Sequence, residues 1–412
     1  MGTYVSISIG DYDFISSKNS FGDLLLPFSP RNLKEEPAVY EDGDEYIRRY
    51  LSMPIGHIKL ILDGLGYTID SAKEDFSKLK KEKLEFVEYC LEDSDGNTYG
   101  LDFEDISKNF TFDNWRNVAL RYAKKLYKNH RCLDKPQKKE LTITERFVLE
   151  SLPYGEGFWG FMDVEFNVWS IFRVLLDAFS EDEEIVLDYT ELYESGWCEK
   201  FPSEQDYEAP KTIILTEGKF DAEVIEKSMN LLYPYMSKFY SFMNFSEYKV
   251  QGSTNFLTHY LKAFIASGIQ NRVIALYDND SAGLAELIDL KKFHAPDNFR
   301  IMHLPDIDLA KNYPTLGPNG AEELDINGKA CSIELFLGRD VLLESGSFVP
   351  IHWKGYIEKT CTYQGEVMQK GLIQSRFLEK CKSINDYEEV SDDDINWLEM
   401  RILLNSLFNV FN

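Results

Sequence analysis

The sequence has few groups that bind soft metals. Its six cysteines (Cys90, Cys132, Cys198, Cys331, Cys361, Cys381) stand singly, with no C-x-x-C and no paired spacing with the six histidines. That excludes a zinc finger or ribbon, which needs clustered thiolates and imidazoles, and scattered thiols suit a reducing, cytoplasmic setting. The opening "MGTYVSISIGDYDF" has no basic segment followed by an apolar one, so no export signal is expected. No run approaches the roughly 18 apolar residues of a membrane helix, so no membrane partner is expected. The G-x-x-x-x-G-K-[ST] loop of an attached ATPase is also missing, and energy input would have to come from a partner. Positive charge is short as well: 44 Lys and Arg face 70 Asp and Glu, a net charge of -26 over 412 residues. Such a surface repels a phosphate polymer at long range, so any role on nucleic acid must rest on local basic patches or bound cations. The main basic runs, "KLKKEK" (78–83), "RYAKKLYKNHR" (121–131) and "KPQKKE" (135–140), all lie in the N-terminal half and read either as solvated helix faces or as guides for nucleic acid.

A chain 44% hydrophobic and 14% aromatic can bury a sizeable core in two or three domains. Residues 1 to about 30 alternate apolar and polar, the period-2 signature of a short hairpin turning at Gly10-Asp11. From about 44 to 130, "EYIRRYLSMPIGHIKLILDGLG", "AKEDFSKLKKEKLEFVEYCLED" and "FTFDNWRNVALRYAKKLYKNH" place apolar residues at helical spacing. The stretch "FNVWSIFRVLLDAF" continues in kind, and Trp159, Trp169 and Phe172 are expected to pack rather than bind a ligand. "EKFPSEQDYEAP" (199–210) reads as a boundary loop. Beyond it, "TIILTE", "YKV", "RVIALYD" and "FRIMHLP" alternate with helical segments, which implies parallel strands with crossover helices. The chain then looks loop-like from 305 to about 328, and helical at "ACSIELFLGRDVLL" and "GLIQSRFLEKCKSI". The expected fold is α/β, α+β overall. A mainly helical domain with a short hairpin (1–205) precedes a parallel-sheet domain (206–328) and a helical extension packing on it (329–412).

Two of the strands end in bare carboxylates. In "ILTEGKFDAEVI" Glu217 closes the first strand, and in "VIALYDNDSAGL" Asp278 and Asp280 close the third. Ligand crevices of parallel sheets form at the carboxyl ends of the strands. Side chains two apart in an extended segment point the same way, so Asp278 and Asp280 can address one ion while Asn279 faces elsewhere. Three such acids repel one another unless a cation, most simply magnesium, joins them. Gly218 and Gly283 allow close backbone approach where strand passes into helix, and Ser281 is placed to cap the helix that follows. Either motif alone is equally well a helix cap or a turn; their occurrence together, in order, on adjacent βα units carries the reading.

These two motifs resemble the Toprim domain, with its E-G-x-x-D and D-x-D-x-x-G signature, over roughly residues 211–305. The resemblance implies a Mg2+ or Mn2+ site built from Glu217, Asp278 and Asp280, with Asp221 as a supporting acid, and chemistry on phosphodiesters of DNA or RNA, tRNA included. Missing zinc-ligand spacing argues against a primase, and a topoisomerase would need a nucleophilic tyrosine and a large gate. The flanks "SIGDYDFISSKN", "NGKACSIELFLGRD" and "YQGEV" are similar to HEPN/Toprim-associated proteins of bacteria, which implies a nuclease effector of defence against phage. The alternative is a Toprim sensor or toxin subunit that a regulatory protein or RNA activates; a homodimer is compatible with both. HEPN ribonucleases use R-x4-6-H, whereas eight residues separate Arg121 from His130, so the N-terminal half is not expected to cleave by itself.

Further acids and bases complete the expectation. Glu334, between Ile333 and Leu335, is the preferred extra metal ligand, ahead of Glu322, Glu323 and Asp325. Lys219 is placed to meet phosphate or transition-state charge. Lys311 and Lys354, on loops after the sheet, are candidate nucleic-acid contacts. His303 reads as a satisfied core histidine, and the aromatic stretch 231–245 as packing rather than a base-stacking platform.

Overall fold

The computed structural model describes residues 2–10, 12–40, 42–92, 102–129, 141–145, 148, 167–199, 210–243, 253–318, 320–384, 390–391 and 393–412. The contacts divide the chain into two compact units, Met1–Glu208 and Ala209–Phe411. Mixed helix and sheet with a parallel sheet in the second unit is the expected α/β (α+β) class.

In the first unit the opening hairpin is two strands of a larger sheet. Strand β1 (Tyr4–Ile9) pairs antiparallel with β2 (Tyr12–Lys18), and Val5, Ile7 and Ile9 are buried at every second position. Three more strands, β3 (Leu33–Val39), β4 (Glu45–Pro54) and β5 (Glu184–Asp188), complete the order β2-β1-β5-β4-β3, antiparallel throughout. Two of these differ from expectation. Residues 45–54, read as helix, form β4, where Leu51, Ser52 and Met53 are buried; helical spacing begins only after Pro54, with Ile55, Ile58, Ile61 and Leu62 buried in the helix Ile55–Leu65. The strand β5 was hidden in an acidic stretch and gains its place by pairing with β1 and β4, more than 130 residues away in sequence.

The helices Ile69–Glu92, Phe112–Asn129 and Val168–Leu175 stand where the periodicity puts them. Trp169 and Phe172 are buried, as packing residues should be; Trp159 lies outside the described residues, as do His130 and the run 135–140. Within "KLKKEK", Lys78 pairs with Asp75, Lys81 with Glu85, and Lys80 donates to the Ser107 carbonyl, so this run is a solvated, internally matched face. Arg173, only 13% exposed, forms a fork on Asp63 (2.8 and 3.0 Å) and reaches Asp177 at 3.0 Å. Arg173→Met removes the cation that bridges two part-buried acids, leaving Asp177 with Lys59 and Arg116 but Asp63 without its fork. It is expected to cost about 3 kcal/mol in a denaturant melt; a loss below about 1 kcal/mol would show the fork to be idle.

The second unit centres on a parallel sheet of order β10-β8-β6-β7, made of β6 (Thr212–Thr216), β7 (Tyr240–Phe242), β8 (Val273–Tyr277) and β10 (Phe299–His303). Every residue of β8 is buried, as a central strand covered on both faces requires. Strand β7 lies inside the aromatic stretch 231–245, ahead of the expected "YKV", which is outside the described residues. The two-residue strand β9 (Asn279–Asp280) pairs antiparallel with β13 (Ala330–Cys331).

The C-terminal half of this unit departs most from expectation. The supposed loop holds an antiparallel hairpin, β11 (Tyr313–Gly317) and β12 (Gly320–Leu324). A further small hairpin, β14 (Leu343–Glu344) and β15 (Ser347–Phe348), precedes β16 (Ile351–Ile357) and β17 (Thr362–Val367), which join the first hairpin in the order β12-β11-β16-β17. One sheet thus spans both sides of residue 328. The helix expected across "ACSIELFLGRDVLL" is broken into a 3-10 turn, Ile333–Phe336, and a short helix, Arg339–Leu342, because Gly338 between them takes φ 113°. The helix Lys370–Ser383 forms as expected, followed by Leu398–Phe408.

Candidate active site at the ends of two parallel strands

Strands β6 and β8 are direct neighbours, with Thr216 opposite Leu276. The residues that follow them therefore meet at one edge of the sheet. Oε1 of Glu217 accepts the backbone N–H of Asp278 at 2.9 Å, and Oε2 accepts Thr254 Oγ1 at 2.6 Å. Asp221, on the first turn of the helix Lys219–Leu232, accepts the Gly218 N–H at 2.9 Å. Glu334 is fully buried on its 3-10 turn, taking Ser332 Oγ at 2.6 Å on one oxygen and Gln374 Nε2 at 2.9 Å and Lys370 Nζ at 3.1 Å on the other.

Electrostatics show that these acids share one environment. Burial first, then the charges of Glu217, Asp221, Asp280 and Glu334, hold the Asp278 proton affinity well above the ordinary carboxylate range. Its carboxylate receives no hydrogen bond among the described residues, so nothing local offsets that crowding. Burial and Glu334 likewise push Asp221 up to about 7, and burial raises Glu217 against the lowering effect of Thr254 and the Asp278 N–H. Like charges in a low-dielectric pocket retain protons.

Asp280 behaves differently from the expectation that it addresses an ion beside Asp278. It is buried, its Oδ1 accepts the Gly283 N–H at 2.7 Å, and its Oδ2 takes a short hydrogen bond from Gln364. Asp280, and not Ser281, therefore caps the helix Ser281–Leu290. Ser281 instead ties the turn to β17, through Thr362 Oγ1 at 2.8 Å and the Tyr363 carbonyl at 3.0 Å. Asn279 does face elsewhere, donating to Asp306 and accepting from Gly328.

The remaining candidates separate. Lys219 is exposed, with no hydrogen bond or ion pair among the described residues. Lys311 is exposed and paired with Asp308 at 2.6 Å. Lys354 pairs with Glu366 and lines a cavity of about 540 Å3 with Lys329, Trp353, Thr362 and Tyr363. Two of those walls touch the turn after Asp280: Lys329 through its carbonyl, 3.3 Å from the Ser281 nitrogen, and Thr362 through its hydroxyl. Glu322 and Glu323 are exposed residues of β12, and Asp325 accepts the Asn327 N–H. His303 holds the Leu304 carbonyl through Nδ1, a satisfied histidine. Sequence reasoning missed Thr254, Gln364, Lys370 and Gln374. Only Gln364 carried a signal, lying in the flank motif "YQGEV".

The donors suit a hard divalent cation in kind: Glu217, Asp221, Asp278 and Glu334 are carboxylates, and burial raises the proton affinity of the first three, a crowding that a cation would relieve. Their present rotamers do not converge. Among the described residues no group of three or more His, Cys, Asp and Glu is arranged to hold an ion, because Glu217, Asp280 and Glu334 spend their oxygens on protein donors.

A parallel sheet with acids at the ends of adjacent strands defines the second unit as α/β, with those acids on the edge where such sheets bind ligands. The family of this chain is given by its first half: residues 1–211 match the HEPN/Toprim N-terminal domain 1 model, and the protein belongs to that family. No curated protein and no solved structure matches it. No helix among the described residues is long and apolar enough to cross a membrane.

Two tests follow from this geometry. A Cβ on Gly283 would stand 2.3 Å from the Asp278 carbonyl oxygen, whereas one on Gly218, whose backbone is extended, would meet nothing nearer than 3.5 Å. In denaturant melts Gly283→Ala is expected to cost on the order of 3 kcal/mol and Gly218→Ala less than about 1; equal losses would refute the close approach. The second test is pH. Asp221 keeps its proton to about pH 7 in the folded chain, against about 3.9 unfolded. The folded state therefore binds the extra proton, and this stability is full below about pH 4 and lost as pH rises to 7. Melting temperature in chelator should fall across that window and fall less steeply in Asp221→Asn; identical slopes would remove Asp221 from the cluster.

Proposed function

We propose that residues 212–303 act as a Toprim-type metal-dependent nuclease that cleaves phosphodiester bonds in DNA or RNA, as an effector of defence against phage. The observation that carries this reading is the hydrogen bond from the Asp278 N–H to Glu217, which sets two acids of separate βα units side by side at the sheet edge. Glu217 and Asp278 would hold Mg2+ or Mn2+, with Asp221 and Glu334 beside them. When bound, such an ion supplies an activated water and neutralises charge developing on the phosphate.

The chain's own residues do the positioning. Thr254 and the Asp278 N–H orient Glu217, while Asp280, held by Gln364 and the Gly283 N–H, shapes the turn that presents Asp278. Asp280 would reach an ion only on release from Gln364. Lys354, with Lys329, Trp353 and Tyr363, offers charge and aromatic faces to a strand lying in the cavity beside that turn. Lys219 is an exposed cation placed to meet the polymer's backbone, and Lys311 would do so by exchanging Asp308 for a phosphate. Against a net charge of -26, these local groups and the bound ion would carry the attraction.

A second reading has its own observation. Because Glu217, Asp280 and Glu334 are engaged by protein donors, the site also suits a sensor or toxin subunit that a regulatory protein or RNA must open. Incubation of the pure protein with Mg2+ or Mn2+ and tRNA, single-stranded and duplex DNA separates the two. Cleavage that drops about a hundredfold or more in Asp278→Ala and Glu217→Gln supports the enzyme. Wild-type inertness on every substrate, relieved only by a partner, supports the subunit.

A further inference from the structure

Lys370 begins the helix Lys370–Ser383, where a positive charge is least welcome, since the free N–H groups of a first turn already form the positive end of the helix dipole. The residue before it, Gln369, stands in the left-handed region at φ 53°, a conformation that side-chain-bearing residues adopt at a cost. The chain accepts both penalties and so places Nζ of Lys370 3.1 Å from Oε1 of Glu334. Glu334 is fully buried, and its other oxygen is already taken by Ser332. The Lys370 charge is also felt at Asp221, Asp278 and Glu217. One ammonium thus serves four acids that have no other cation among the described residues within ion-pair distance. Strain kept at one point is a pointer to function, and here it starts the helix that carries this charge, with the Gln369 side chain held on Glu344 at 2.7 Å.

We propose that Lys370 is the fixed cation of the site, standing against Glu334 in the place of a second divalent ion, so that the wild-type chain takes up one such ion and not two. The inference rests on reading the carboxylates as a metal centre. Two-metal sites hold their ions roughly 4 Å apart to clamp one phosphate; a lysine built into one of those positions supplies part of that charge without having to be recruited. Gln374, one turn further along the same helix, donates to the same Glu334 oxygen and so holds the acid that the lysine faces.

The test is a Mn2+ titration of the full chain, with free ion followed by electron paramagnetic resonance. Wild type is expected to bind one ion, Lys370→Met two, and the double variant Lys370→Met/Glu334→Gln one, because the charge that would draw the second ion is gone. Recovery of Lys370→Met only with Mn2+ present, and its unfolding on chelation, would be the same exchange read through stability. Two ions on the wild type, or equal counts for wild type and Lys370→Met, would overturn the inference, as would failure of Lys370→Met to fold even with Mn2+. No ion on the wild type but one on Lys370→Met would sink the metal reading of the natural protein while leaving Lys370 as the ion's substitute. No ion on either would sink both.

Discussion

Glu217 accepts the backbone N–H of Asp278, and the rest of the site depends on that contact. It fixes the first carboxylate to the main chain of the second and so brings acids together at the cost of mutual repulsion. Each neighbouring feature then answers the repulsion. Thr254 donates to Glu217, the Gly218 N–H to Asp221, Gln364 and the Gly283 N–H to Asp280, and Ser332, Gln374 and Lys370 to Glu334. Among the described residues Asp278 alone of these acids has no donor, and burial and crowding push its proton affinity up. A part-buried acid without a hydrogen-bond partner is costly.

What the sequence disclosed and what it concealed divide along one line: local patterns were legible, long-range pairings were not. Glu217 and Asp278 could be placed at strand ends because "TIILT" and "VIALY" are short apolar runs followed by glycine-bearing turns, and β6 and β8 do lie side by side. Gly283 could be picked out because a D-x-D turn leaves no room for a side chain. The cap went to Asp280 instead of Ser281 because a carboxylate competes for the same free N–H groups, and Gln364, 84 residues away, holds it there. Likewise β4 passed for helix because its apolar residues run on into the helical spacing of Ile55, Ile58 and Ile61, and its pairing with β3 and β5 is long-range. The hairpin β11–β12 hid behind glycine and proline, which serve turns and loops alike. Lys370 had no signal at all; a lysine beside a glycine is common, and only the folded chain shows what it faces.

The first unit gives the family, and the second holds the acids. Residues 1–211 carry the match to the HEPN/Toprim N-terminal domain, while the carboxylates lie between 217 and 334. In the first unit Arg173 is matched by Asp63, 110 positions away, and by Asp177, while Lys78 and Lys81 are matched by acids of their own helix. In the second, Glu334 waits for a lysine 36 positions on and Asp280 for a glutamine 84 positions on.

That distance in sequence also sets a timetable. Glu217 leaves the ribosome 61 residues ahead of the amide that will hold it, and Glu334 is synthesised before the helix bearing Lys370 and Gln374 exists. Non-local contacts form late in folding, and domains emerge from the N-terminus first. A nascent or truncated chain can therefore complete its first unit while its acids are still strangers to one another, and a cell making this protein is not exposed to the finished site until translation has passed residue 374.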